Sequence, residues 1–125
     1  MTPGTFALLS LAGGAGAALR YAVDALVRAR TTSPFPWPTT LINLPGCLVL
    51  GFITGLVAGR FAGTELSLVL GTGFLGGYTT FSTASYETVD LVRRGHDRTA
   101  LLYGVGVLVG GVALAAAGYL GGMRV

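Results

Sequence analysis

The chain contains no lysine, one cysteine, one histidine and only five acidic residues among 125. Without lysine there is no P-loop, whose grip on phosphate needs that ammonium group. A single cysteine, Cys47, cannot form an internal disulfide, and no second ligand stands near it at metal-binding spacing. It reads as a small packing residue. His96, inside the arginine-rich stretch RRGHDR (Arg93 to Arg98), reads as a solvated loop residue. No Ser-His-Asp set and no catalytic pair of carboxylates is present, so the sequence argues against an enzyme. Gly71, Gly73 and Gly76 spell GxGxxG. A dinucleotide fingerprint also needs a preceding strand, a following helix and an acid about 20 residues on, and that context is missing. Charge is scarce as well. Charged residues make up 10% of the chain, against about 25% in soluble domains.

What the chain has instead is apolar length. It is 52% hydrophobic, with a mean hydropathy of +0.72. So short a chain with so little polar surface fits lipid as its solvent. A membrane helix needs about 20 apolar residues. Leu41 to Ala58, Leu66 to Tyr86 and Thr99 to Met123 are each free of charge, and Phe6 to Val27 is interrupted only by Arg20 and Asp24. The expectation is a single all-α integral membrane domain over residues 1–125, with spans at about 5–27, 40–60, 65–92 and 99–121. The first segment lacks a basic start and a small-residue cleavage site, so it is not expected to be a signal peptide.

The net charge of +3 comes from arginines clustered at span ends. That placement suits lipid headgroups rather than nucleic acid. Four spans put Arg28, Arg30, Arg93, Arg94 and Arg98 on one side and Arg60 and Arg124 on the other. The bias predicts that both termini lie outside and both arginine-rich loops in the cytoplasm. Glycine is abundant, with 21 residues. Gly51, Gly55 and Gly59 stand four apart, as do Gly106 and Gly110, and Gly13, Gly14 and Gly16 crowd the first span. Small residues at this spacing let helix backbones approach in lipid.

Three polar features remain inside the membrane. Arg20 costs roughly 2.5 kcal/mol or more at depth unless it snorkels or finds a partner. Asp24 follows on the same helical face, so an Arg20–Asp24 pair and a positive vestibule for anions both stand open. Asn43 must be satisfied by another helix or by a watery path. The third feature is GFLGGYTTFSTASYE, from Gly73 to Glu87, with five hydroxyls at Thr79, Thr80, Ser82, Thr83 and Ser85. The pair Gly76-Gly77 is expected to break the third helix there, since loose backbone at membrane depth is tolerated where it lines a cavity or is buried in protein. Freed carbonyls could hold a cation, as in unwound transporter helices.

These motifs together resemble the Fluc (CrcB) fluoride channels over nearly the whole chain. GGAGAALRY (Gly13 to Tyr21) is similar to that family's first-helix segment, TTLINLPGCLVLG (Thr39 to Gly51) to its asparagine motif, and GFLGGYTTFST (Gly73 to Thr83) to its most specific signature. The resemblance implies passive, fluoride-selective export that lowers cytoplasmic fluoride. It implies an antiparallel, dual-topology dimer in the cell membrane, with two pores between subunits. It also implies a structural, untransported Na+ held by the carbonyls of Gly76 and Thr79. The family's fluoride pathway maps onto Asn43, Phe81, Ser82, Thr83 and Tyr103, with Arg20 at the vestibule. An absence of any mid-membrane carboxylate for proton coupling is the expectation that favours a channel over a pump.

Two positions depart from the pattern. Where the family commonly reads TTFSTF, this chain has Ala84 in place of the second phenylalanine. Below Tyr103 the fourth span offers Val107 and Gly111 where the family commonly carries hydroxyls. Some members of the family pair two different subunits of fixed, opposite orientation. This chain is therefore expected to pair either with itself or with a paralogous companion, and alone to conduct poorly. The alternatives are a small dual-topology drug exporter, which needs an embedded acid better placed than Asp24, and a non-conducting structural subunit.

Overall fold

A computed structural model describes residues 1–125, which form helices and no strands. Helix α1 is Pro3–Arg28 and α2 is Trp37–Ala58. The third span is divided. Its first half, α3, runs through Thr64–Leu66, a wide-turned section Ser67–Leu75, and Gly76–Tyr78. Its second half, α4, is Phe81–Arg93, and the last helix, α5, is Asp97–Met123. Helices α1, α2 and α5 are each long and apolar enough to cross a membrane.

Local chemistry sets the ends. Thr2 caps α1, its hydroxyl accepting the Thr5 N–H at 3.1 Å, and Pro3 occupies the first turn, where no amide hydrogen is needed. The Thr5 hydroxyl donates to Glu65 at 2.7 Å and so ties the start of α1 to the start of α3. Between α4 and α5, Gly95 takes the left-handed conformation at φ 82°. The His96 N–H then reaches the Leu91 carbonyl at 2.8 Å and the Gly95 N–H reaches Val92 at 3.0 Å. This is the glycine-terminated helix end that turns a chain sharply.

The helices pack as two parallel pairs. Residues 9, 13 and 16 of α1 meet 73, 77 and 78 of α3 in that order, and 44, 51 and 55 of α2 meet 110, 115 and 119 of α5. Parallel first and third spans, and parallel second and fourth spans, are what a chain that crosses the membrane four times must give. Only 22 of 125 residues are buried. Large apolar side chains line the outside of every long helix, which suits lipid or another subunit as the surrounding medium.

Glycine makes both pairs possible. A Cβ on Gly16 would overlap the Phe74 carbonyl, one on Gly77 the Gly13 carbonyl, and one on Gly51 the Ala115 carbonyl. In α5 the contacts are made by Gly118 and Gly122, against Leu48 and Phe52. Gly106 meets nothing and Gly110 only the Leu44 side chain, so the spacing noticed at those two positions is not the packing seam. Gly77→Ala should therefore cost about 3 kcal/mol, the upper range for overpacking against backbone. Gly106→Ala should be neutral. Size-exclusion profiles of the two variants in mild detergent check the contrast.

The interruption of the third span lies later than its sequence suggests. Gly76 has helical φ −61° and ψ −38°, and Gly76–Tyr78 is a helical turn. The chain opens at Thr79 (φ −82°, ψ 160°) and Thr80 (φ −148°, ψ 119°), both extended. Gly77 serves close approach to α1, not the break. The wide turns before it, where the Gly76 N–H bonds back to Gly71, are of the π type that is rare and often found at functional sites.

Candidate functional site

Asn43 holds the break open. Its Oδ1 accepts the Thr80 N–H at 2.9 Å and its Nδ2 donates to the Thr80 carbonyl at 2.8 Å. The amide thus substitutes for a strand partner at one extended residue. Asn43 is 8% exposed, so losing these bonds would leave buried backbone groups unpaired. In a continuous helix the Thr80 N–H would serve the Gly76 carbonyl, so its capture by Asn43 frees that carbonyl. One Asn43 amide hydrogen stays uncommitted. The sequence left Asn43 as either interhelical glue or a pathway donor. The structure makes it the brace of the break, with one donor to spare.

The two sides of the break differ in polarity. Carbonyl groups end α3, the negative pole of a helix, and amide groups begin α4, the positive pole. Thr80 caps α4, its hydroxyl accepting the Thr83 N–H at 3.2 Å and donating to Thr83 Oγ1 at 3.1 Å. The Thr79 hydroxyl donates back to Leu75 at 2.8 Å. Arg20 is half-buried, and its Nη1 donates to the Thr79 carbonyl at 3.3 Å. Asp24 pairs with Arg28 at 2.8 Å instead of with Arg20. The same four-residue spacing allowed either pairing, and the free carbonyl of the break draws Arg20 away.

A groove of about 420 Å3 runs beside the break between α2, α4 and α5. Asn43, Thr79, Thr80, Phe81 and Tyr103 line it. Ala84, Val107 and Gly111 line it too, so both departures from the family pattern lie on one surface. Phe81 is 86% exposed and Ser82 is exposed. Thr83 is half-buried in the capping cluster and does not line the groove. Cys47 packs close to Gly111, in keeping with its small size.

The sequence reading missed one polar group. Glu87 is half-buried on α4, about 9 Å along the helix from Phe81 at 1.5 Å per residue. It accepts a hydrogen bond from the Thr39 hydroxyl. A carboxylate therefore does lie within the third span. Thr39 and Tyr103 are each 1% exposed, and the Tyr103 hydroxyl is buried without a hydrogen-bond partner. The Tyr103 ring meets Phe35 edge-on, with centroids 5.5 Å apart. The available signal was the paired threonine at Thr39-Thr40 ahead of Asn43, which local reading gives no reason to join to Glu87.

Three helices long and apolar enough to cross a membrane, a third segment opened at its centre, and polar groups gathered at that opening define a multi-pass α-helical membrane protein built around a polar site. Residues 7–119 match the family described as CrcB-like protein, Camphor Resistance (CrcB), and the chain belongs to that family. It is 48% identical to a protein of Leifsonia xyli subsp. xyli named fluoride-specific ion channel FluC 1, covering all of this chain and 92% of that one. It is 43% identical to a fluoride-specific ion channel FluC of Thermus thermophilus, over 96% of this chain and 97% of the relative. It is 39% identical to fluoride-specific ion channel FluC 2 of Clostridium acetobutylicum, over 84% and 86%.

Proposed function

We propose that this chain is a subunit of a fluoride channel and lets the ion leave the cell passively. The observation that carries the reading is the break at Thr79-Thr80, braced by Asn43, with amide and hydroxyl donors on the α4 side. Fluoride is small and strongly hydrated, so a path for it must replace water with hydrogen-bond donors. The spare Asn43 amide hydrogen, Ser82, Thr83 and the unpartnered Tyr103 hydroxyl are such donors, and Phe81 can offer its electropositive ring edge. Names of close relatives support the same ion. A drug exporter is disfavoured, because the one acid of α1, Asp24, is held by Arg28 at the helix end.

The α3 side of the break fits a structural Na+. Carbonyl oxygens suit a hard cation. The Gly76 carbonyl is released by Asn43, and the Thr79 carbonyl already attracts the positive guanidinium of Arg20. Gly76 and Thr79 are the residues that would hold the ion. Bound there, it would add positive potential beside the anion path. Arg20 then belongs at the mouth of the path, where its charge favours anions.

The partner in this reading is a second subunit, antiparallel and either identical or paralogous. Lipid cannot satisfy the open backbone or the exposed Ser82 at membrane depth. A second chain laid across the break can. Relatives numbered FluC 1 and FluC 2 fit paired paralogues.

Fluoride efflux from proteoliposomes tests the proposal. In sodium the chain should release fluoride far faster than chloride, slowly on its own and faster when co-reconstituted with a paralogous FluC subunit. Replacing Na+ by N-methylglucamine during purification should lower both flux and thermal stability. Equal fluoride and chloride leak in every preparation would overturn the channel reading. Fast efflux from the chain alone would overturn only the need for a companion.

A further inference from the structure

We propose that Ser85 is a further fluoride-contacting residue, supplying from α4 a donor that α5 lacks in this chain. The inference rests on the channel reading above. Five hydroxyls line the groove, those of Thr79, Thr80, Ser85, Thr88 and Tyr103. Three have an acceptor in the protein: Thr79 donates to Leu75 at 2.8 Å, Thr80 to Thr83 at 3.1 Å, and Thr88 to Ala84 at 2.8 Å. Two have none. Tyr103 is 1% exposed with its hydroxyl unpartnered, and the exposed Ser85 hydroxyl makes no hydrogen bond. The phenol stands beside Thr39 and Glu87, which are bonded to each other, and its own hydroxyl makes no well-aligned hydrogen bond, so its proton is available to a ligand that can accept.

Ser85 contrasts with its peers. Ser10, Thr40, Thr54 and Thr88 each turn back to the carbonyl four residues earlier, at 2.8 to 2.9 Å. That is the usual way a helical hydroxyl is satisfied in lipid. Ser85 could do the same to Phe81 and does not. It stands one helical turn beyond Phe81, on the same face and in the same groove. Across the groove, Val107 and Gly111 carry no donor, so an anion moving past Tyr103 finds its next hydroxyl on the opposite wall. Asn43, Tyr103 and Ser85 thereby form a donor set drawn from three helices, α2, α5 and α4.

Three proteins decide the matter: the wild-type chain, Ser85→Ala and Ser85→Thr. Fluoride efflux from liposomes should fall about tenfold in Ser85→Ala, the size of one hydrogen bond to a charged group. Ser85→Thr, which keeps the hydroxyl, should stay within about threefold of wild type. A second readout works without conduction: sodium fluoride, compared with equal sodium chloride, should raise the unfolding midpoint of the wild-type chain in detergent. Ser85→Ala should lose most of that rise and Ser85→Thr should keep it. If wild type responds to fluoride and Ser85→Ala responds equally in both assays, Ser85 has no part in the path. If wild type responds in neither assay, alone or together with a paralogous FluC subunit, the channel reading falls and this inference falls with it.

Discussion

Asn43→Asp should reduce fluoride efflux by about a hundredfold or more, with a smaller yield of folded protein. The substitution is nearly isosteric, so packing is spared and the effect isolates one donor. Asn43 Oδ1 accepts from the Thr80 N–H and Nδ2 donates to the Thr80 carbonyl. Aspartate keeps the acceptor and replaces the donor by a carboxylate oxygen facing a carbonyl oxygen at 2.8 Å. At a site 8% exposed, the lost bond and the opposed oxygens amount to about 3 kcal/mol, which is roughly a hundredfold. The new negative charge also faces the path of an anion. Protonation restores the donor and removes the charge, so efflux through Asn43→Asp should recover as pH falls, a trend wild type should not show. Efflux traces from pH 5 to 8 read this directly. Wild-type rates across that range would take Asn43 out of both roles assigned to it.

Three long apolar helices, α1, α2 and α5, were legible because lipid imposes a simple rule of apolar length. The third span was legible as broken because hydroxyls and glycines sit together from Gly76 to Ser85. The point of opening was not, since it depends on a partner far away in sequence. Asn43, on another helix, captures the Thr80 N–H, whereas Gly77 is used for the close approach of α1 and Gly76 stays helical beside it. Glycine in lipid has two uses, opening a helix and admitting a neighbour, and local sequence does not separate them. The same limit applied to charge. Four-residue spacing allowed Asp24 to pair with Arg20 or Arg28, and a carbonyl on another helix decided between them. Glu87 and Thr39 are joined only by the fold.

The groove gives both departures from the family pattern a common meaning. Ala84 and Val107 line it and also pack against the buried cluster of Leu91, Ala100 and Tyr103. Small apolar residues there leave Tyr103 well seated and leave space beside it. A second aromatic ring at the break could occupy that space, and this chain brings Phe81 alone.

That difference makes Ala84→Phe the second large-effect prediction. Phe81 and Ala84 are three residues apart and share the groove-facing side of α4, so the substitution places two ring edges along one path. Edge-on contacts between aromatic rings are worth about 0.5–1.5 kcal/mol, and a ring edge facing an anion at the upper end of that scale changes a rate by about tenfold. Efflux from liposomes holding the variant alone should therefore rise about tenfold over the wild-type chain alone. The added ring must also fit against the Leu91–Tyr103 cluster, so the unfolding midpoint should fall, by about 1–2 kcal/mol of overpacking. Faster flux from a less stable protein is a combination that general tightening or loosening of the fold would not produce. If the variant conducts no faster, the missing aromatic does not limit the chain. The apolar α5 wall at Val107 and Gly111 then becomes the barrier, and Val107→Ser is the substitution that should relieve it.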